Sequence, residues 1–326
     1  MSNFPLVSVR APARLHFGVL DLRGHLGRRF GGIGAAIPEP GVALTAERAN
    51  EVTAEGPDAE RAAEYARRYL LARRLSSGAK LTLQSAIPPH TGLGSGTQLA
   101  LAVARALAEL FGQSVDPAVL SQQVGRGRRS AIGTWSFALG GFILEGGRRP
   151  GSESVAPLLA RLPIPAEWRC VVVVPEGKPG LSGEAEATAF AQLPAPPQSE
   201  VERVSHLVLL QLLPALADAD LPAFGAALSE IQRVTGGWFS GAQGGAFAPG
   251  ASARLVSQLA EWGAIGGVGQ SSWGPAVYGI VGSQEAGARL AARAREAVGP
   301  GGAVFLSEFD NRGARVEVTG GSSPAH

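Results

Sequence analysis

The stretch "PPHTGLGSGTQLALAVARAL" (residues 88–107) constrains the fold more than any other part of the sequence. It follows the alternating segment 79–87, which is typical of a strand that ends at two prolines. Gly92, Gly94 and Gly96 permit a left-handed backbone and the close approach of a ligand, and an apolar helix begins soon after them. The free N–H groups at such a helix start favour an anion. The stretch therefore predicts a phosphate-binding turn between a strand and a helix.

Two well-known phosphate-binding templates do not fit this turn. A Walker loop needs a lysine after its last glycine, and Thr97 stands after Gly96 instead. The dinucleotide fingerprint needs a third glycine where Thr97 stands, and it needs the context of a first strand, whereas this turn begins only at residue 88. A plain strand–helix turn without a ligand is the alternative interpretation. Three alternating glycines and the hydroxyls of Ser95 and Thr97 favour the anion site.

Composition and charge argue against several classes of function. The 29 Lys and Arg residues nearly balance the 27 Asp and Glu residues, and no long basic run is present, so a nucleic-acid surface is not indicated. Cys170 is the single cysteine and lies in the apolar run "RCVVVV", which excludes an internal disulfide and predicts a buried strand. The first residues lack a signal-peptide pattern, and no stretch reaches the roughly 18 apolar residues of a membrane span. We expect a cytoplasmic protein with neither a membrane nor a nucleic-acid partner.

The order of the segments predicts an α+β chain in two halves. Strand patterns dominate residues 4–53, and helical patterns follow at 58–75, after the glycine turn and at 116–127. A segment rich in Pro and Gly, 148–168, marks the boundary. The second half runs strand–helix–helix–strand–helix–strand, an order typical of a ferredoxin-like domain. The predicted units are an N-terminal domain, 1–165, a C-terminal domain, 166–319, and a disordered tail, 320–326.

Three motifs resemble those of the GHMP kinase superfamily. The glycine turn is similar to the second motif of that superfamily, P-x-x-x-G-L-G-S-S. "VRAPARLHFGVLDL" (9–22) resembles the first motif, and "GAIGGVGQSSWGPAVYGI" (263–280) resembles the third, which is also rich in glycine. The resemblance implies a GHMP-type two-domain fold, with an N-terminal domain like ribosomal protein S5 domain 2 and a ferredoxin-like C-terminal domain.

Further stretches resemble one branch of that superfamily, the β-ribofuranosylaminobenzene 5′-phosphate synthases. They include "GRRFGGIG" (27–34), "RSAIGTWSFALGGFILEGG" (129–147) and "VVVVPEGKPGLSGEAE" (171–186). Members of this branch join 5-phosphoribosyl 1-diphosphate (PRPP) to 4-aminobenzoate and release CO2 and diphosphate, on the way to methanopterin. The resemblance implies a Mg2+-dependent, decarboxylating C-ribosyltransferase in which the glycine turn holds the phosphates of PRPP.

The resemblance also implies roles for individual residues. It implies catalytic roles for Asp21, His16 and Arg28, and Mg2+ coordination by Asp21 and Glu145. The residues expected to bind the phosphates of PRPP are Arg14, Gly92, Leu93, Gly94, Ser95, Gly96, Thr97, Gln98, Arg129 and Ser130. The residues expected in the second glycine loop, beside the aromatic acid, are Gly269, Gln270, Ser271, Ser272 and Trp273.

The side chains of the first motif leave alternatives open. Asp21 is either a metal ligand, a carboxylate facing the cationic sugar, or a strand-end residue that caps the following turn. Arg29 is able to replace Arg28, since guanidinium groups at either position suit a phosphate or carboxylate. His16 and Arg14 are two residues apart, so we expect both on one side of a strand. A buried, hydrogen-bonded histidine remains an alternative to a catalytic one.

The function also has alternatives within and outside the family. Glu145 stands where the family tends to have Asp. Trp273 either stacks on the aromatic acid or packs in the core. A related C-nucleoside synthase would use PRPP with another aromatic acid, and an ATP-dependent kinase would use the same scaffold for phosphoryl transfer. A protein that binds the ligand as a sensor, without catalysis, is a further alternative. We expect a homodimer, as is common for such folds.

Overall fold

A computed structural model describes residues 5–177, 180–181 and 183–320, and the predicted tail lies outside this part except for Gly320. The strands are β1 (Leu6–Asp21), β2 (Phe30–Ala49), β3 (Thr53–Glu55), β4 (Gly78–Ser85), β5 (Phe142–Glu145), β6 (Leu158–Leu162), β7 (Arg169–Val174), β8 (Val268–Gln270), β9 (Val277–Val281), β10 (Ala303–Ser307) and β11 (Arg315–Thr319). The helices are α1 (Ala59–Ala72), α2 (Ser95–Leu110), α3 (Pro117–Gln123), α4 (Ile132–Leu139), α5 (Gly183–Gln192), α6 (Gln198–Leu207), α7 (Leu213–Ala217), α8 (Leu221–Gln243), α9 (Ala251–Glu261) and α10 (Gln284–Val298). A π-helical turn, Val208–Leu212, joins α6 to α7.

The larger sheet is built around the long antiparallel pair β1 and β2. Its strand order is β11-β1-β2-β4-β3, and β5 and β6 extend it from β2. Alternate residues of β1, such as Val7 and Val9, are fully buried, as expected for a strand with one face on the core. The apolar helix α2 packs on β1 and β2 and brings the glycine turn that precedes it against β1.

The smaller sheet has the order β10-β7-β9-β8 and is antiparallel throughout. Cys170 lies in β7 and is fully buried, as predicted, and burial raises the pKa of its thiol. Phe17 of β1 and Tyr278 of β9 bring the cores of the two sheets together, with ring centroids 5.1 Å apart. No helix in the described part of the chain is both long and apolar enough to cross a membrane.

The chain order and the sheet order differ at the C-terminus. Residue 165, the expected domain boundary, lies between β6 and β7, but β11 returns to the larger sheet and pairs with β1. The expected C-terminal unit 166–319 therefore contributes its last strand to the N-terminal sheet, where it covers an edge of β1 that would otherwise leave backbone groups unpaired. Segment 137–147 contains the end of α4 followed by β5. Gly140 and Gly141, both at positive φ, separate the two elements.

Candidate active site

The three glycine-containing motifs converge on a cleft with a volume of about 280 Å³. Its walls come from β1, the start of β2, the beginning of α2, segment 125–130, α5, α8 and the third motif. The predicted residues that line it from the first two motifs are Arg14, His16 and Thr97. The others are Arg129, Ser130, Gln270, Ser272 and Trp273. The structure thus brings together residues that are more than 200 positions apart in the sequence.

Ser271 holds the three motifs together behind the cleft wall. Its Oγ donates a hydrogen bond to the carbonyl of Gly92 (2.7 Å) and accepts one from the backbone N–H of His16 (3.0 Å). The side chain is fully buried. Arg14 donates to the same Gly92 carbonyl, and its backbone N–H donates to the carbonyl of Leu93 (3.1 Å). Ser271 is therefore a structural junction rather than a wall of the cleft.

The glycine turn places the start of α2 at the cleft. Gly94 is the N-terminal cap residue at φ 81°, a left-handed conformation, and Ser95 begins the helix. Thr97, in the first turn of α2, lines the cleft. The other residues of this stretch that are expected to bind phosphate are not among those that line the cleft: Gly92, Leu93, Gly94, Ser95, Gly96 and Gln98. The side chain of Gln98 is buried, and it donates to the carbonyl of Gly133 (2.8 Å), which ties α2 to α4.

Arginines give the cleft a cationic wall. Arg126, Arg128 and Arg129 all line it. Arg126 donates to the hydroxyl of Tyr65, and a Cβ added to Gly96 would lie 3.0 Å from its Nη2. The Arg126 guanidinium is thus held beside the first turn of α2. A guanidinium next to a helix N-terminus is a favourable setting for phosphate oxygens.

Burial and charge shift the pKa values of the groups on β1. Burial lowers the pKa of Arg14 to about 10, and the nearby Glu186 carboxylate opposes that shift. Burial, followed by the charge of Arg14, lowers the pKa of His16 to about 3. The imidazole of His16 is therefore neutral at pH 7. A neutral imidazole adds no positive charge to this part of the cleft.

Glu145 is fully buried in β5 and does not line the cleft. Its Oε2 accepts the N–H of Gly147 (2.7 Å) and its Oε1 accepts the N–H of Ala131 (3.4 Å). Burial raises the pKa of Glu145 to about 7, against the effect of these hydrogen bonds. A Cβ added to Gly32 would lie 3.4 Å from His16 Nε2 and 3.5 Å from Glu145 Oε1, so the two titratable groups flank the same glycine.

Two of the predicted catalytic residues stand outside the cleft. Asp21 Oδ1 accepts the N–H groups of Arg23 (2.6 Å) and Gly24 (3.0 Å), so its carboxylate caps the turn after β1. Arg28 donates to the carbonyl of Gly147 (2.9 Å). Arg29, the alternative to Arg28, does not line the cleft either, and its side chain donates to the carbonyl of Leu22 (2.8 Å). Local backbone groups hold both side chains in these positions, and the roles of Asp21 and Arg28 toward substrate stay predictions.

Comparison with known proteins shows the family to which these features belong. The model of the GHMP kinases N terminal domain matches residues 59–141. The beta-ribofuranosylphenol 5′-phosphate synthase of Methanothermobacter thermautotrophicus is 36% identical, covering 94% of this chain and 97% of that protein. The protein of the same name from Archaeoglobus fulgidus is 33% identical, covering 96% of this chain and all of that protein. This chain belongs to the beta-ribofuranosylphenol 5′-phosphate synthase family.

The fold of this family is that of the GHMP kinases. The homoserine kinase of Cytophaga hutchinsonii superimposes with a TM-score of 0.68 at 19% identity, covering 97% of this chain and 98% of that chain. At this level of identity, the similarity concerns the fold alone. The predicted GHMP-type α+β fold and the predicted family resemblance are both confirmed.

The Mg2+ ligands expected for a synthase of this family do not fit a shared ion. Asp21 Oδ1 already accepts two backbone N–H groups, and both oxygens of Glu145 accept backbone N–H groups in a buried setting. In the described ranges, no group of three His, Cys, Asp or Glu side chains is arranged to hold a metal ion.

The sequence did not reveal the aromatic and α8 walls of this synthase-family cleft. The α8 side chains that line it recur on one helical face: Gln232, Thr235, Gly236, Phe239 and Gln243. Phe190 of α5 and Phe30 of β2 complete an aromatic surface with Trp273. The sequence did contain a signal for the α8 wall. The buried side of this helix is otherwise apolar, and polar residues on such a side face a ligand or another polar group.

The opposite pKa shifts of Glu145 and His16 predict an unusual dependence of stability on pH. The native state holds extra protons on Glu145 between pH 4.5 and about 7, so this contribution to the free energy of unfolding falls as pH rises. The unfolded state holds extra protons on His16 between about pH 3 and 6.5, so that contribution rises with pH. The two cancel in the wild type between pH 4.5 and 6.5. Replacing Glu145 with Gln is expected to leave a rise of about 1 kcal/mol per pH unit.

Guanidinium unfolding at pH 4.5, 5.5 and 6.5 measures this effect as the difference between variant and wild type. The His16→Gln variant is the matched control, because it removes the opposing contribution and is expected to give a slope of the opposite sign. Parallel pH profiles for the wild type and Glu145→Gln would contradict the assignment of a raised pKa to Glu145.

Proposed function

We propose that this member of the family joins PRPP to a benzoate that carries an electron-donating group in the para position, with release of CO2 and diphosphate, as a step toward methanopterin. The observation that carries the proposal is the identity of 36% along almost the entire chain with a relative named as a ribofuranosylphenol 5′-phosphate synthase. The cleft supports it, because one cleft offers both a cationic wall and an aromatic wall. Two substrates of that chemistry need both walls.

The reaction balances without an added oxidant or reductant. The bond between the sugar C1 and the diphosphate oxygen breaks, and the electron pair leaves with diphosphate. The ring carbon that bears the carboxylate then forms a bond to C1 through the ring's π electrons. The bond to the carboxylate breaks, CO2 departs, and the electron pair restores the aromatic ring. A para hydroxyl or amino group stabilises the positive charge that the ring carries in between.

The residues of this chain divide the task between the diphosphate of PRPP and the sugar carbon C1 that carries it. We assign the diphosphate to Thr97, Arg126 and Arg128, because the Arg126 guanidinium lies beside the first turn of α2 and Arg128 lines the same cleft. Donors aimed at a leaving group that gains negative charge stabilise the transition state more than the ground state. We assign the cationic C1 to the neighbourhood of the neutral His16, which adds no positive charge there. Mg2+ bound to the diphosphate would add further charge stabilisation.

The acceptor within the benzoate class is a choice between two compounds. The names of the relatives contain phenol, which decarboxylating addition to 4-hydroxybenzoate yields. The sequence resemblance named 4-aminobenzoate, which yields an aminobenzene. We therefore propose 4-hydroxybenzoate and 4-aminobenzoate as the acceptors to compare.

The test uses PRPP, Mg2+ and either acid labelled in its carboxyl group, with released CO2 and diphosphate counted together. We expect equal amounts of both products from at least one acid, and the ratio of kcat/KM values identifies the acceptor. A parallel reaction contains ATP in place of PRPP. Diphosphate without CO2 for both acids, or ADP formation in the ATP reaction, would contradict the proposed function.

A further inference from the structure

Helix α5 presents a carboxylate and a phenyl ring to the same part of the cleft. Glu186 and Phe190 are four residues apart, so they lie on one face of the helix, and both line the cleft. Glu186 Oε2 lies 2.9 Å from Arg129 Nη2, an ion pair. The Arg129 guanidinium also lies over the Phe190 ring, 5.4 Å from its centroid. One arginine therefore contacts a carboxylate and an aromatic ring that belong to the same helix.

The Phe190 ring is enclosed by other aromatic rings. Its centroid lies 5.7 Å from that of Phe30, 5.6 Å from Phe239 and 5.5 Å from Trp273, and all three contacts are nearly perpendicular. Edge-to-face contacts of this kind are favourable for a bound aromatic ring. Phe239 and Trp273 also contact each other directly, with centroids 5.0 Å apart, so two walls remain packed together without Phe190.

Two observations indicate that this enclosure serves a ligand. Phe30 adopts φ 74°, a left-handed conformation that costs free energy for a bulky residue and that is found mainly where function requires it. The cleft of about 280 Å³ lies below the roughly 300–1,000 Å³ that small-molecule sites usually have, although two substrates must meet in it. Glu186 and Phe190 of α5 line this cleft and so limit its volume.

We propose that the aromatic carboxylic acid binds where Glu186 and Phe190 now lie, with its ring between Phe30, Phe239 and Trp273 and its carboxylate on Arg129. The two side chains thus imitate a benzoate and must withdraw when it binds. None of the α5 residues whose exposure is described is fully buried. The main apolar contacts that the helix gives up on moving are those of Phe190 with the three aromatic rings, and the ring of the acid replaces them. The proposal rests on the proposed function only in taking this acid to be the acceptor. Under this proposal Arg129 binds the carboxylate of the acceptor, whereas the sequence resemblance implied that it binds the phosphates of PRPP.

Benzoate binding to the full-length protein, measured by calorimetry without PRPP, tests the proposal. Removing an internal competitor raises the competent fraction of the site and lowers the apparent Kd by the same factor. We expect Glu186→Gln to bind benzoate about 5- to 10-fold more tightly than the wild type. Glu184→Gln is the matched control, because Glu184 is an exposed carboxylate on the same helix, and its Kd is expected to be unchanged.

The Phe190→Ala variant distinguishes a side chain that moves out when benzoate binds from one that lines the site permanently. Phe190→Ala is expected to tighten benzoate binding if Phe190 withdraws, whereas a permanent wall would make the same variant bind benzoate more weakly. Weaker or unchanged binding in both variants would overturn the proposal. So would tightening by Glu186→Gln for inorganic phosphate but not for benzoate, because the site would then be a phosphate site. Because benzoate binding is measured without turnover, a failure of the PRPP assay leaves this test intact.

Discussion

Replacing Arg14 with methionine is expected to lower kcat/KM for the PRPP reaction by about 10²- to 10³-fold. Arg14 lines the cleft and donates a hydrogen bond to the carbonyl of Gly92, and its side chain packs against Gly94 at the start of α2. Methionine retains much of the apolar stem but removes the charge and every donor. The variant therefore loses one positive charge of the cleft and a contact that holds the glycine turn in place.

Arg14→Lys and Arg10→Met sharpen the interpretation of that result. Lysine keeps the charge without the planar fork of donors, so Arg14→Lys is expected to recover only part of the loss. Arg10 lies on the same strand and is exposed away from the cleft, so Arg10→Met is expected to match the wild type. Kinetics of CO2 release compare the three variants. Activity of Arg14→Met within threefold of the wild type would show that Arg14 has no part in binding PRPP.

Local patterns in the sequence were sufficient to predict the elements around the glycine turn. The alternation of β1 correctly placed Arg14 and His16 on one side of a strand, and both line the cleft. The helical pattern predicted at 116–127 contains α3, and the Asp116 carboxylate caps its start by accepting the N–H of Val119 (2.9 Å). These features depend on residues a few positions apart, which is the range over which strand alternation and helix caps operate.

Features that depend on distant partners were not predictable in the same way. The pairing of β1 with β11 joins Leu6 to Thr319, and nothing local in either strand specifies that partner. Gln98 resembles a ligand-binding residue of the glycine turn, but it faces inward to Gly133 because α4 packs there. No residue of helix α5 whose exposure is described is fully buried. Its sequence therefore lacked the periodic apolar face by which a helix is predicted. Its contribution to the cleft therefore became visible only in three dimensions.

Replacing Gly92 with alanine is expected to lower the free energy of unfolding by about 2–5 kcal/mol. Gly92 adopts φ 83°, and a Cβ there would lie 2.1 Å from the carbonyl oxygen of Ser271 and 3.2 Å from the N of Gly274. Both neighbours are backbone atoms of the third motif, so no side-chain rotation relieves the clash. The same displacement would pull Ser271 away from the carbonyl of Gly92 and from the N–H of His16.

Gly112→Ala separates this steric effect from the cost of the backbone conformation. Gly112 also has a positive φ, 61°, but a Cβ there would meet nothing within 4 Å. Its substitution is therefore expected to cost only the 1–2 kcal/mol or so of a left-handed alanine. Denaturant unfolding of the two variants gives the difference, which measures how firmly the second and third motifs are packed together. Equal destabilisation would mean that the Ser271 carbonyl moves aside freely, and the junction at Ser271 would then not be what fixes the glycine turn at the cleft.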